Sequence, residues 1–115
     1  MIFVTGPAGA GKTDYVISLG YSEEDISRGE ITDSPVVADV QNIAMNTDCD
    51  IQELVRLLQE KEVVICDEVG SGIIPVEKDM RKARETVGRT AIELAKRADR
   101  VVRVICGIPQ IIKEK

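Results

Sequence analysis

Apolar residues fall along this chain in short runs, separated by polar and glycine-bearing stretches. Ile2-Phe3-Val4-Thr5 is such a run, stopped by Gly6, and reads as a buried strand. The pattern then predicts a helix that begins near Lys12 and stops by Gly20. Residues 21–35 carry Ser22, Glu23, Glu24, Asp25, Gly29 and Pro35 and read as a loop, unusually long for a small domain. Pro35–Val40 reads as a second strand. Ile51, Leu54, Val55, Leu57 and Leu58 recur at helical spacing, with Thr47 and Asp48 as candidate caps. Glu62–Cys66 is a third strand and runs into Asp67-Glu68; Gly70, Gly72 and Pro75 mark a turn after it. From Val76 to about Ala98 the period is helical. Met80, Ala83, Val87, Ala91, Leu94, Ala95 and Ala98 share one face, and Lys78, Arg81, Lys82, Arg84 and Arg89 occupy the others. Arg100–Cys106 is a fourth strand, and Ile108–Lys113 a short edge-like fifth.

Strands alternating with helices predict an α/β fold: a mostly parallel sheet of about 4–5 strands with helices on both faces. Such sheets hold ligands at the carboxyl ends of their strands. Gly6–Thr13, Asp39 and Asp67-Glu68 all follow or end predicted strands, so the candidate chemistry converges on one edge of the sheet.

That chemistry is dominated by residues 6–13, Gly6-Pro7-Ala8-Gly9-Ala10-Gly11-Lys12-Thr13. The segment is a complete phosphate-binding loop in strand–loop–helix context, which makes the expected architecture a P-loop NTPase-like three-layer fold. Glycines let the backbone approach phosphate oxygens, and backbone N–H groups at the helix start point at them. Lys12 places a charge on the terminal phosphates and the Thr13 hydroxyl serves Mg²⁺. The expected ligand is therefore a nucleoside triphosphate, ATP or GTP, with Mg²⁺. Asp67, ending an apolar strand, is a candidate metal ligand, and Glu68 beside it a candidate base. Asp39 competes with Asp67 for the metal. Arg84 and Arg89, with Arg81, are candidates to balance phosphate charge, although a basic run on a helix is commonly a solvated face paired with acids such as Glu77 and Glu85.

Composition narrows the alternatives. The 115 residues suit one domain spanning 1–115, without internal repeats. A net charge of −5 and an aromatic content of 3% argue against a nucleic-acid surface, which needs basic patches and stacking platforms. No stretch approaches the length of a membrane span, and Met1–Thr5 does not read as a secretory leader. Cys49, Cys66 and Cys106 lack paired ligand spacing and read as buried thiols, Cys66 and Cys106 inside apolar runs, which points to a reducing, cytoplasmic setting.

The residues after the third strand carry a more specific signal. Asp-Glu-Val-Gly-Ser-Gly-Ile-Ile-Pro at 67–75 resembles a signature of the bifunctional adenosylcobinamide kinase / adenosylcobinamide-phosphate guanylyltransferase family of cobalamin biosynthesis. Arg81, Arg84, Gly88, Arg89 and Ala98-Asp99 stand at the family's spacings. Val104–Lys113 resembles its last strand pair, the opening Ile2–Thr13 its phosphate-loop segment, and Val37–Ile43 the strand whose acid, here Asp39, contacts nucleotide or metal. The resemblance implies phosphoryl transfer from ATP or GTP to an alcohol, with adenosylcobinamide as candidate acceptor, and a homo-oligomer. It also marks departures. Asp67 replaces an Asn, Thr90-Ala91-Ile92 lacks an Asn-Gln pair, and the segment that carries the family's guanylylated histidine is largely missing. The chain contains no histidine at all, so guanylyltransferase activity is expected to be lost. The alternative function is a nucleotide-responsive binding module with weak or no hydrolysis.

Overall fold

The computed structural model describes residues 1–46, 50–68 and 78–115. The Thr47 and Asp48 caps, Cys49, the Gly70, Gly72 and Pro75 turn, most of the 67–75 motif and the predicted helix start at Val76 lie outside the described residues.

In chain order the elements are β1 (Ile2–Gly6), α1 (Lys12–Ser18), a 3₁₀ turn (Glu23–Asp25), β2 (Ile26–Arg28), β3 (Val36–Ala38), α2 (Val40–Asn46), α3 (Ile51–Leu58), β4 (Val63–Asp67), α4 (Lys78–Arg97), β5 (Arg100–Ile105) and β6 (Ile108–Glu114). The strands form one sheet in the order β2-β3-β4-β1-β5-β6. Every pairing is parallel except that of the edge strand β6, which returns antiparallel on β5. Six described strands stand where four to five were expected.

The period-two alternation of the strands sorts the core into two layers. Val4, Val36, Ala38, Val63, Ile65, Val102 and Val104 pack with Val16 of α1 on one face. Phe3, Val37, Val64, Cys66 and Val101 pack on the other with Val40 and Ala44 of α2, Leu54, Val55 and Leu58 of α3, and Val87, Leu94 and Ala98 of α4. These clusters make the three layers expected of the sequence, with α1 the one α-helix on its face among the described residues. The core is almost wholly aliphatic, and the strands at its centre are near-continuous valine runs, as burial on both faces demands.

Two expectations need correction. The 21–35 loop contains β2, which pairs in parallel with β3 through Ile26↔Val36, Ser27↔Val37 and Arg28↔Ala38. The turn before it is closed by the Ser22 N–H donating to Asp25 Oδ2 at 2.9 Å. The Pro35–Val40 strand is also shorter than expected. It ends at Ala38 because Asp39 adopts φ 57°, a left-handed turn in which Asp is tolerated better than most residues, and Val40 already begins α2. Helix α3 takes its cap from Asp50, whose Oδ1 accepts the Gln52 N–H at 3.1 Å.

Candidate functional site

The carboxyl ends of β1, β2, β3 and β4 open on one cleft of about 380 Å³. Its walls are Gly9, Ala10, Gly11, Lys12, Thr13 and Asp14 from the phosphate loop and α1, Arg28 from β2, Asp39 after β3, and Ile65 and Asp67 from β4. The structure thus brings together Lys12, Thr13, Asp39 and Asp67, four residues singled out from the sequence.

The loop is built by its neighbours as well as by its own sequence. The Ala10 N–H donates to Pro7 O at 3.2 Å, turning the chain back on itself. The Gly107 N–H at the β5–β6 turn donates to Ala10 O at 2.7 Å and braces the loop from outside. Gly11 precedes α1 at φ 97°, and no side chain caps the helix, so its first N–H groups face the cleft. A Cβ on Gly11 would stand 3.2 Å from Gly107 Cα, so the glycine also admits the hairpin.

Lys12 is only 6% exposed. Its Nζ lies 2.8 Å from Asp67 Oδ1 and donates to Pro7 O at 2.6 Å and Gly6 O at 3.2 Å. In the free protein the ammonium is therefore folded into its own loop and neutralised by the strand-terminal acid. Asp67 is itself fixed by its N–H, which donates to the side-chain carbonyl of the buried Gln41 at 3.0 Å. Gln41 comes from the first turn of α2 and was not singled out in the sequence. Gly6 and Pro7 thus contribute carbonyls to the lysine rather than surface to the cleft. Ala8 belongs to the loop but not to the cleft wall.

Glu68 is placed differently from Asp67. Its N–H donates to Gly6 O at 2.8 Å, tying the end of β4 to β1. Its carboxylate takes both Arg103 Nε at 2.5 Å and a second Arg103 nitrogen at 3.0 Å, a bidentate pair that keeps it out of the cleft wall. The alternation explains the split. Asp67 follows the α1 side of the sheet, where Ile65 lies, whereas Glu68 follows Cys66 toward the α4 side. Arg103 was missed because its pairing requires knowing that β5 lies beside β1, with Arg103 opposite Thr5.

The candidate arginines of α4 are not in this cleft wall. Arg89 lines a separate hollow between α3 and α4 with Asp50, Ile51, Gln52, Ile92 and Glu93. Arg84 lies on α4, on the opposite face of the sheet from α1. The arginine that the cleft does contain is Arg28. One of its terminal nitrogens donates to Thr13 Oγ1 at 3.3 Å and lies 3.4 Å from Glu23 Oε2.

Thr13, Asp39 and Asp67 offer an all-oxygen donor set, which suits Mg²⁺ sharing its shell with phosphates and water. Among the described residues no group of three or more His, Cys, Asp or Glu is placed to hold a metal ion alone, so such an ion would rely on bound phosphate for the rest of its shell. Burial, helped by the neighbouring Asp67, pushes the Cys66 thiol up to about 12, so it is no nucleophile near neutral pH.

The family model for cobinamide kinase / cobinamide phosphate guanyltransferase matches residues 30–112, well over half of the chain, and the chain belongs to that family. The match starts beyond the phosphate loop and β2, so Lys12, Thr13 and Arg28 are read from their own geometry. No curated protein matches the chain. No helix among the described residues is long and apolar enough to cross a membrane.

Proposed function

We propose that this member of the cobinamide kinase family is a phosphotransferase that binds ATP or GTP with Mg²⁺ in the Lys12 cleft and transfers the γ-phosphoryl group to an alcohol, the aminopropanol hydroxyl of adenosylcobinamide. The observation that carries the reading is the convergence of Lys12, Thr13, Asp39 and Asp67 on one cleft at the strand ends, in a chain of this family. The acceptor oxygen forms a bond to the γ-phosphorus, the bond from that phosphorus to the β,γ-bridging oxygen breaks, and the nucleoside diphosphate leaves. Lys12, released from Asp67, holds the β- and γ-phosphate oxygens. The hydroxyl proton passes to the cleft carboxylate, Asp39 or Asp67, that does not hold the metal. Thr13 with Asp67 or Asp39 would hold Mg²⁺, which supplies charge neutralisation on the phosphates. Phosphoryl transfer depends mostly on such positioning and electrostatics, so a small site suffices. Glu68, engaged by Arg103, acts by fixing the β4 end against Gly6.

The metal assignment is tested by Asp67→Asn and Asp39→Asn. The Asn variant of the true ligand is expected to lose the Mg²⁺ enhancement of triphosphate binding while diphosphate binding stays nearly intact. Calorimetry with and without Mg²⁺ measures this; unchanged Mg²⁺ dependence in both variants would overturn the assignment.

The family's second activity is proposed to be absent. A covalent nucleotidyl enzyme needs a nucleophile beside the α-phosphate. The chain has no histidine, and Cys66 is buried and protonated. Intact mass spectrometry after incubation with GTP and Mg²⁺ is expected to find no adduct of GMP mass. An adduct on this chain would refute the proposal and direct attention to a lysine or to Cys106, which is exposed at the hairpin turn beside the loop rather than buried as its apolar run suggested.

A further inference from the structure

Among the described residues the cleft wall carries two cations, Lys12 and Arg28, and they are held very differently. Lys12 is buried and matched by Asp67 at 2.8 Å. Arg28 is 44% exposed, and its contacts to Thr13 and Glu23 are 3.3 and 3.4 Å, the outer limit of hydrogen bonding. An exposed pair of that length contributes little to stability. Three carboxylates, Asp14, Asp39 and Asp67, line the same cleft. With Lys12 neutralised by Asp67, Arg28 is the cation that a polyanion displaces from its partners at least cost.

Its position is equally specific. Arg28 ends β2, beyond β3 and β4 from the phosphate loop, and its side chain reaches back over the cleft to Thr13. Its guanidinium lies 3.3 Å from the hydroxyl of Thr13, the residue next to Lys12 at the terminal-phosphate end of the loop motif. A planar guanidinium binds phosphate through two parallel N–H donors, which an ammonium cannot do.

We infer that Arg28 is a phosphate clamp that engages the γ-phosphate of a bound triphosphate, and that Glu23 holds it aside when the cleft is empty. The inference rests on the phosphate-loop reading above and assigns Arg28 the charge-balancing part expected of Arg84 or Arg89. It makes Arg28 a determinant of triphosphate over diphosphate, since a diphosphate offers the guanidinium no γ-phosphate to engage.

Calorimetry with ATP and ADP, each with Mg²⁺, on the wild type, Arg28→Ala, Arg28→Lys and Lys12→Ala tests it. Arg28→Ala is expected to lose about tenfold in ATP affinity, the low end for a charge-assisted contact, with ADP affinity changed by less than about threefold. The melting temperature should not move, because the Arg28 contacts are long and exposed. Arg28→Lys should restore part of the ATP loss and leave a deficit from the missing fork. An Arg28→Ala protein that loses ATP and ADP equally, or loses neither while Lys12→Ala weakens both, overturns the clamp and leaves the phosphate loop standing. Unchanged binding in Lys12→Ala, or none in the wild type, removes the phosphate-loop reading and the clamp with it.

Discussion

Lys12→Ala is expected to weaken ATP and GTP binding by about tenfold to a hundredfold, the loss of one or two charge-assisted hydrogen bonds in a partly desolvated site. The structure adds a second consequence. The Lys12 ammonium satisfies Gly6 O, Pro7 O and the Asp67 carboxylate in the free protein. Its removal leaves two loop carbonyls without that donor and a half-buried acid without its counter-charge. A stability loss of about 1–3 kcal/mol should accompany the binding defect. On a domain of this size that lowers the melting temperature by about 5 °C or more. Calorimetry and a thermal melt on the same preparation separate the two effects. Unchanged nucleotide affinity together with a lowered melting temperature would reduce Lys12 to a structural residue.

Gly6→Ala is expected to cost more stability than any other single change in the loop. Gly6 closes β1 at φ 150°, and a Cβ built there would lie 2.3 Å from the backbone oxygen of Val104. Backbone cannot rotate away as a side chain does. Relief would have to separate β1 from β5 at a point where Gly6 O also accepts from Glu68 and Lys12. Overpacking and backbone strain together cost about 3 kcal/mol or more, a large share of the about 5–15 kcal/mol that stabilises a domain. Gly9→Ala is the control. Gly9 has φ 74° but no atom within 4 Å of a new Cβ. It should cost about 1–2 kcal/mol from left-handed strain alone. Urea melts followed by circular dichroism compare them, and a Gly6→Ala protein as stable as Gly9→Ala would contradict the packing described at the β1–β5 junction.

How much of this was legible in the sequence depends on where each determinant lies. β1, α1, β4, α4 and β5 were legible because each carries its own signal: a valine-rich run, a glycine-bounded turn or a long helical period. The placement of Asp39 and Asp67 was legible too, since parallel strands put their carboxyl ends on one edge. β2 was not. Ile26-Ser27-Arg28 is too short to show alternation and sits among acids, and it becomes a strand only because β3 offers it an edge. α2 was hidden because a single residue, Asp39 in a left-handed turn, separates it from β3 with no glycine or proline to mark the break. Arg28 was hidden with its strand. Gln41 and Arg103 act through tertiary contacts, to the Asp67 N–H and the Glu68 carboxylate, that depend on sheet order rather than on local spacing. The basic residues of α4 had a visible spacing, but the face of the sheet on which α4 packs, and so their distance from the loop cleft, was not visible.

Transfer, rather than binding alone, is the activity proposed for the cleft. Its most direct measurement is incubation of the protein with γ-labelled ATP or GTP, Mg²⁺ and adenosylcobinamide, followed by separation of cobinamide phosphate from inorganic phosphate. Label is expected in cobinamide phosphate, dependent on the acceptor and lost in Lys12→Ala. Label confined to inorganic phosphate, or none released while nucleotide still binds, would contradict it and leave a nucleotide-responsive binding module in its place.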